Sequence, residues 1–192
     1  MSKYVTILGD GAIGKTTLVK ALNNQNIRTN EDPIKRTPFI EIESLKIEQE
    51  KMIIYDLAGQ DNPAHPLKTL RDQVLGHAQI LIFAFALDRF SSLAHLGSWY
   101  TNVLSYYSEN NKTFPKMILV GTKADQPRKL DNHLIEKVLT STKIKQYVAT
   151  SSLTGTGISE LKMKIKQLLQ DSEEHKFSLK DENVLVTVAL LS

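Results

Sequence analysis

The sequence predicts an α/β fold in which a six-stranded, mostly parallel sheet carries helices on both faces and has one antiparallel edge hairpin. Short apolar segments alternate along the chain with amphipathic helical segments, which is typical of parallel sheets covered by helices. The segment Ile80–Leu87 is apolar throughout, as expected for a central strand buried on both faces. Two strand-like segments meet around Glu48–Lys51, which predicts a tight hairpin between them.

The individual elements follow from the local hydrophobic pattern. Short apolar runs predict the strands Tyr4–Leu8, Phe39–Lys46, Met52–Asp56, Ile80–Leu87, Lys116–Gly121 and Gln146–Ala149. Helical periodicity predicts the helices Lys15–Asn24, Leu67–His77, Leu93–Glu109, Asn132–Thr142 and Ile158–Gln170. The last helix shows an apolar stripe on one face, formed by Ile158, Leu161, Ile165, Leu168 and Leu169.

Composition excludes several classes of protein. The chain has 192 residues, 41% of them hydrophobic and 23% charged, which is typical of a globular domain. A net charge of +3 gives no reason to expect a nucleic-acid partner. Cysteine is absent, so that disulfides, thiolate metal sites and thiol-linked lipid anchors are excluded, and Ser2 excludes N-myristoylation. Without a signal-peptide layout or an apolar span of bilayer length, we expect a cytoplasmic protein.

The strongest motif lies directly after the first predicted strand. It matches GxxxxGK[ST] at every fixed position, with Gly9, Asp10, Gly11, Ala12, Ile13, Gly14, Lys15 and Thr16. Glycines let the backbone wrap closely around a phosphate chain, with N–H groups pointing inward at the start of a helix. Lys15 would place its charge at the β- and γ-phosphates, and the Thr16 hydroxyl would take a Mg²⁺ coordination site. Together with Thr17, these residues predict a P-loop NTPase.

A second motif predicts which base is recognised. It follows the strand Lys116–Gly121 and consists of Thr122, Lys123, Ala124 and Asp125. Guanine presents its N1–H and 2-amino donors side by side, and the Asp125 carboxylate would accept both in a charge-assisted pair. Adenine has an acceptor where guanine has N1–H, so that Asp125 would disfavour adenine.

This second motif resembles [NT]KxD, the base-reading element of the Ras-like small GTPases. The resemblance covers nearly all of residues 3–170 and implies that the Lys123 stem lies along the base. It also implies a second base-contacting loop, formed by Ser151, Ser152 and Leu153. There the Ser152 amide would meet the guanine O6, and Leu153 would pack near the base.

The strand Met52–Asp56 ends in a match to the family's DxxGQ, formed by Asp56, Leu57, Ala58, Gly59 and Gln60. Asp56 is placed like a Walker-B carboxylate that holds Mg²⁺ through a water. Gly59 would offer its N–H to the γ-phosphate, where only glycine lets the backbone turn so closely. The resemblance assigns Gln60 to orienting the attacking water.

The family's remaining element is a threonine that reaches Mg²⁺ only in the triphosphate state. Thr37 is the preferred candidate because the next strand begins at Phe39, and Thr29 lies too close to the first helix. The resemblance thus gives a metal set of Thr16, Thr37 and Asp56. The expected catalytic set is Gln60, Lys15 and Thr37.

The resemblance implies a molecular switch that binds GTP and GDP with Mg²⁺ and hydrolyses GTP to GDP and phosphate. The γ-phosphate would tie Thr37 and Gly59 together, and hydrolysis would release two loops that effectors and regulators read. Rho-, Rab- and Arf-like features are mixed, so that no subfamily is assigned. Two departures stand out: Ile27 replaces the aromatic residue that stacks on guanine, and a longer connection with two prolines, Asp61–Pro66, follows Gln60.

Two other functions remain open at this point. A P-loop kinase or ATPase would share the phosphate motif, but Asp125 argues against adenine. A nucleotide-holding interaction module with little turnover is a further alternative, which Gln60 and Thr37 argue against and the proline-bearing loop keeps open.

Residues 171–192 are predicted to extend beyond a GTPase domain at residues 1–170. Within this tail, Val184–Leu191 is apolar and rich in β-branched residues, but its eight residues are too few to cross a bilayer. An uncovered apolar strand is an aggregation hazard. We therefore expect it to be covered by its own domain, which we favour, by a second copy, or by a partner or membrane surface.

Overall fold

The computed structural model describes residues 3–25, 27, 40–47, 50–58 and 70–170. These residues form the elements β1 (Lys3–Leu8), α1 (Lys15–Leu22), β2 (Ile40–Ile47), β3 (Glu50–Leu57), α2 (Arg71–Leu75), β4 (Ile80–Ala86), α3 (Phe90–Ala94), α4 (Leu96–Glu109), β5 (Lys116–Thr122), α5 (Asn132–Ser141), β6 (Gln146–Ala149) and α6 (Ile158–Gln170). The predictions for Thr37, Gly59, Gln60 and the tail at 171–192 lie outside the described residues. Among the described helices, none has the length and apolar character needed to cross a membrane.

The strands form one six-stranded sheet in the order β2-β3-β1-β4-β5-β6. β2 and β3 pair antiparallel, and every other neighbouring pair is parallel. The predicted fold class is therefore confirmed, including its edge hairpin. Chain order reverses at β1, which lies between β3 and β4, and ligands of such sheets bind at the carboxyl ends of the strands beside this point.

Two hydrophobic clusters cover the two faces of the sheet. One contains residues of α2, α3, α4 and α5, and the other contains residues of α1 and α6. Successive residues of β4 alternate between them: Leu81, Phe83 and Phe85 belong to the first, and Ile80, Ile82 and Ala84 to the second. β4 is fully buried, as the apolar run predicted, and it forms the rigid centre from which the site is built.

The predicted helix Leu93–Glu109 is wrong, because the structure has two helices there, Phe90–Ala94 and Leu96–Glu109. The first begins earlier than predicted because the buried Ser92 hydroxyl accepts from the Ala86 N–H at 2.9 Å and donates to the Arg89 carbonyl at 2.7 Å. At the break, the Ser98 N–H donates to the His95 carbonyl at 3.0 Å, a tighter spacing than that of an α-helix.

Several predicted boundaries differ from the structure by one or two residues. α1 ends at Leu22 rather than Asn24, because Asn24 has a φ of 54° and lies in the left-handed region that terminates helices. The predicted helix Leu67–His77 is shorter in the described residues, where α2 begins at Arg71 and ends at Leu75. α5 ends at Ser141, while β5 continues to Thr122 and β4 stops at Ala86. Despite these shifts, the phosphate motif still follows β1, and Asp56 still lies near the end of β3.

The turn before α6 provides a test of this packing. Gly155 and Gly157 have φ values of +80° and +71°, so that alanine would be strained at either position. A Cβ on Gly157 would also lie 2.0 Å from the Ala149 carbonyl oxygen, whereas one on Gly155 would meet nothing within 4 Å. In urea denaturation we expect Gly157→Ala to lower the free energy of unfolding by about 2 kcal/mol more than Gly155→Ala. Equal losses would contradict this close approach.

Candidate nucleotide-binding site

The predicted motifs converge on the carboxyl edge of the sheet. The phosphate loop follows β1, Asp56 lies near the end of β3, the Thr122–Asp125 segment begins at the last residue of β5, and the Thr150–Leu153 loop follows β6. Parallel strands bring their carboxyl ends to the same edge, which explains why segments far apart in sequence meet there. The structure thus places the described members of the predicted site together.

The phosphate loop has an unusual backbone. Gly9 and Gly14 have φ values of +142° and +92°, and Ala12, which carries a Cβ, has a φ of 58°. A Cβ on Gly9 would lie 2.2 Å from the carbonyl oxygen of Ala84 in the central strand, so that only glycine fits there. Left-handed residues in such a loop turn successive N–H groups toward one side, which creates a concave anion site.

The carbonyl groups of this loop are engaged by donors. The Lys15 ammonium donates to the Gly9 and Asp10 carbonyls at 2.9 and 2.8 Å. The Thr122 hydroxyl donates to the Ile13 carbonyl at 2.5 Å. Among the described residues, no backbone carbonyl accepts from the N–H groups of residues 11–14. The N–H groups of residues 11–14 are therefore available to an anion bound at the start of α1.

Lys15 and Asp56 are the buried charges of the site, and their side chains are 6% and 1% exposed. Burial lowers the pKa of the Lys15 ammonium to about 8, although the negative charges of Asp56 and Asp10 oppose this shift. Burial raises the pKa of the Asp56 carboxyl, and the hydrogen bond from Thr16 and the charge of Lys15 act in the opposite direction. Each group therefore lacks a full counter-charge.

The oxygen atoms of Thr16 and Asp56 fit a magnesium ion. The Thr16 hydroxyl donates to Asp56 Oδ2, while Asp56 Oδ1 is buried and has no hydrogen-bond partner among the described residues. Mg²⁺ prefers such hard oxygen ligands and is usually held by one or two protein groups together with substrate phosphates and waters. The described part of the chain contains no group of three or more His, Asp or Glu side chains that could hold a metal ion.

The residues predicted to read the base lie in two loops that touch each other. Asp125 is exposed, and its carboxylate accepts from the Ser151 hydroxyl at 2.5 Å and from Gln126 Nε2 at 2.7 Å. These two hydrogen bonds lower the pKa of the Asp125 carboxyl, so that it is ionised at neutral pH. Leu153 is 53% exposed beside them, an apolar surface available to a flat ligand.

Four polar contacts of the site were not predicted from the sequence. Arg89 Nη2 donates to the Gly11 carbonyl at 2.6 Å, and the Lys123 ammonium pairs with Asp88 at 3.3 Å. The two oxygens of the Asp10 carboxylate lie 2.8 Å from His95 Nδ1 and 3.3 Å from Trp99 Nε1. One signal in the sequence could have indicated the contacts of Arg89 and Asp88. Both residues come shortly after the apolar strand β4, just as the predicted motifs come at the ends of other strands.

Comparisons with known proteins agree with this arrangement. A sequence model described as the Ras family matches residues 3–171. The Ras-related protein Rab-34 of Mus musculus is 29% identical over 171 residues, which cover 85% of this chain and 62% of that protein. The Ras-like GTP-binding protein RHO1 of Entamoeba histolytica is 26% identical over 121 residues, which cover 63% of this chain and 53% of that protein. This chain therefore spans less than two thirds of the length of either relative.

Thr122 connects the base-reading segment to the phosphate loop, which leads to a testable expectation. Its hydroxyl lies 2.5 Å from the Ile13 carbonyl oxygen and 3.0 Å from that of Phe85, and the side chain is buried. Thr122→Val would leave the Ile13 carbonyl without this donor, which should lower the free energy of unfolding by about 1–3 kcal/mol. Thr122→Ser keeps the hydroxyl and should cost about 1 kcal/mol or less in urea denaturation. A serine variant as unstable as the valine variant would disprove this role of the hydroxyl.

Proposed function

The chain belongs to the Ras family, and from that premise we propose that it is a switch that binds GTP and hydrolyses it to GDP and phosphate in a Mg²⁺-dependent reaction. One observation carries the proposal: a phosphate loop, a buried carboxylate beside a hydroxyl, and an exposed Asp125 meet at one edge of the sheet. The first two would hold a nucleoside triphosphate and its metal, and the third would select guanine.

Phosphate binding is assigned to the loop between β1 and α1. Its N–H groups supply donors without the flexibility of side chains, and the start of α1 adds its partial positive charge. Lys15 supplies the formal charge. A bound phosphate would stabilise the protonated ammonium, whose pKa burial otherwise lowers to about 8.

Thr16 and Asp56 would hold the magnesium ion, and the sequence adds Thr37 as a third ligand in the triphosphate state. The metal held there would supply positive charge against the negative charge that develops during phosphoryl transfer. The buried Asp56 Oδ1, which has no hydrogen-bond partner in the described residues, supports this assignment.

Selection of guanine is assigned to Asp125. Guanine would donate two hydrogen bonds to its carboxylate, one of them in place of the Gln126 amide that occupies one oxygen here. The Ser151 hydroxyl, at 2.5 Å, would keep the carboxylate oriented. The Lys123 stem would lie along the base while Asp88 pairs with its ammonium at 3.3 Å.

Hydrolysis would depend on positioning and charge stabilisation rather than on a covalent intermediate. The resemblance assigns Gln60 to orienting the attacking water and Gly59 to binding the γ-phosphate. With these groups alone we expect slow turnover, which a regulatory protein would accelerate.

Effectors and regulators are proposed to dock near the two segments that should respond to the γ-phosphate. Strands β2 and β3 and the segment around α2 line a groove of about 400 Å³, formed by Ile40, Ile42, Tyr55, Leu70, Asp72, Gln73, Val74 and His77. Ile42 is 66% exposed, and an apolar side chain so exposed on an edge strand suits contact with a protein partner.

The proposed base selection is tested by replacing Asp125. Asp125→Asn retains the shape but loses a carboxylate acceptor, so that the affinity for a fluorescent GTP analogue should fall by about tenfold or more, while the phosphate loop stays intact. The matched control is Asp131→Asn, which makes the same change at the N-cap of α5. If the Asp125 variant kept its full preference for the GTP analogue over the matching ATP analogue, guanine selection would have to be assigned elsewhere.

The proposed role of Gln60 is tested in single-turnover hydrolysis. Gln60→Leu should slow GTP cleavage by roughly tenfold or more and leave GTP affinity nearly unchanged, because Gln60 is expected to contact water rather than nucleotide. Gln167→Leu, an exposed position on α6, controls for the same replacement elsewhere. Equal rates for the Gln60 variant and the unaltered protein would remove Gln60 from this role.

A further inference from the structure

Arg89 contacts the phosphate loop but has no role in the functions assigned above. It lies in the turn between β4 and α3, and its Nη2 donates to the Gly11 carbonyl at 2.6 Å. Its Nε is buried and has no hydrogen-bond partner among the described residues. A guanidinium held against the loop in this way is a charged donor whose position the fold determines.

The turn that carries Arg89 is fixed by hydrogen bonds at both ends. The Arg89 N–H donates to the Ala86 carbonyl at 3.0 Å, and the Arg89 carbonyl accepts from the Ser92 hydroxyl at 2.7 Å. The Ser92 hydroxyl in turn accepts from the Ala86 N–H at 2.9 Å, and this side chain is buried. Arg89 is thereby anchored to the end of β4, the fully buried central strand.

Peptide geometry connects this contact to phosphate binding. In a trans peptide the carbonyl of one residue and the N–H of the next point in opposite directions. A donor on the Gly11 carbonyl therefore fixes the direction of the Ala12 N–H. Ala12 has a φ of 58°, a left-handed conformation that is unfavourable for a residue with a Cβ, so that its peptide requires such support. A charged donor on the carbonyl also polarises the amide and strengthens its N–H as a donor.

Asp10, the residue before Gly11, is held by the segment that follows Arg89 in the chain. Both oxygens of the Asp10 carboxylate are engaged by α4 and the break before it, at 2.8 Å from His95 Nδ1 and 3.3 Å from Trp99 Nε1. The backbone carbonyl of Asp10 accepts from Lys15. Two consecutive residues of the loop are thus fixed from the β4–α4 segment.

We propose that Arg89 is a positioning residue of the phosphate site, which holds the Gly11–Ala12 peptide with its N–H toward the bound phosphate and so slows nucleotide release. This inference rests on the proposed function and deepens it. Because the backbone N–H groups of such loops cradle the phosphates that GDP and GTP share, loss of Arg89 is expected to affect both nucleotides.

The test compares release of a fluorescent GDP analogue from the full chain and from two arginine variants. Arg89→Ala should release it about tenfold faster or more, the factor expected for loss of a charged hydrogen bond. Arg71→Ala is the matched control: Arg71 Nη2 also donates to a backbone carbonyl, that of Asn102 at 3.1 Å, on the surface of α4. Its release rate should stay within twofold of the unaltered protein. Arg89→Lys keeps a cationic donor and should therefore release the GDP analogue more slowly than Arg89→Ala.

A spectroscopic measurement separates positioning from general loosening. The phosphorus-31 resonances of bound GDP should shift in Arg89→Ala and stay in place in Arg71→Ala, while the preference for guanine over adenine stays unchanged in both. If Arg89→Ala does not fold, Arg89→Gln, which keeps the stem and a neutral donor, is measured instead. It should release GDP faster than the unaltered protein, but by less than the change of about tenfold expected for Arg89→Ala.

Three results would overturn the inference: release from the Arg89 variants within twofold of the unaltered protein, equal acceleration in Arg71→Ala, or unchanged phosphorus resonances. Failure of the unaltered chain to bind the GDP analogue would instead refute the proposed function, and the inference with it. Binding by the unaltered chain with no effect of Arg89 would refute the inference alone.

Discussion

The proposed phosphate site depends on the hydrogen-bond donors that hold the carbonyl groups of the loop between β1 and α1. Side-chain donors hold those groups: Lys15 from α1, Arg89 from the turn after β4, and Thr122 from β5. A peptide whose carbonyl is held on one side presents its N–H on the other. Three separate parts of the fold therefore fix the face of the loop that we propose binds the phosphates.

Charge balance connects the phosphate end of the site to its metal end. Lys15 and Asp56 are both buried, and burial lowers the pKa of the first and raises the pKa of the second. Each charge partly compensates the other across the start of α1. A phosphate would satisfy the ammonium and a divalent cation would satisfy the carboxylate, so that the two ligands should stabilise each other's binding.

The sequence predicts those parts of the site in which chemistry dictates residue types at fixed spacing. Lys15, Asp56 and Asp125 were predicted as site residues in this way. The apolar run Ile80–Leu87 likewise predicted the central strand. The contact of Arg89 with the phosphate loop was not predicted, because it joins segments that only the folded sheet brings together. The break at His95 was missed for a similar reason: the hydrogen bonds of Ser92 and Ser98, not the hydrophobic pattern, decide where those helices begin. Thr37 and Gln60 remain predictions from the sequence.

The most direct test of the central claim is phosphate release by the purified chain, measured with GTP and with ATP, in excess Mg²⁺ and after chelation by EDTA. We expect slow phosphate release from GTP with Mg²⁺ and none above background in the other three conditions. Release from ATP at the same rate would contradict guanine selection by Asp125. Release from GTP that EDTA leaves unchanged would contradict a magnesium site at Thr16 and Asp56.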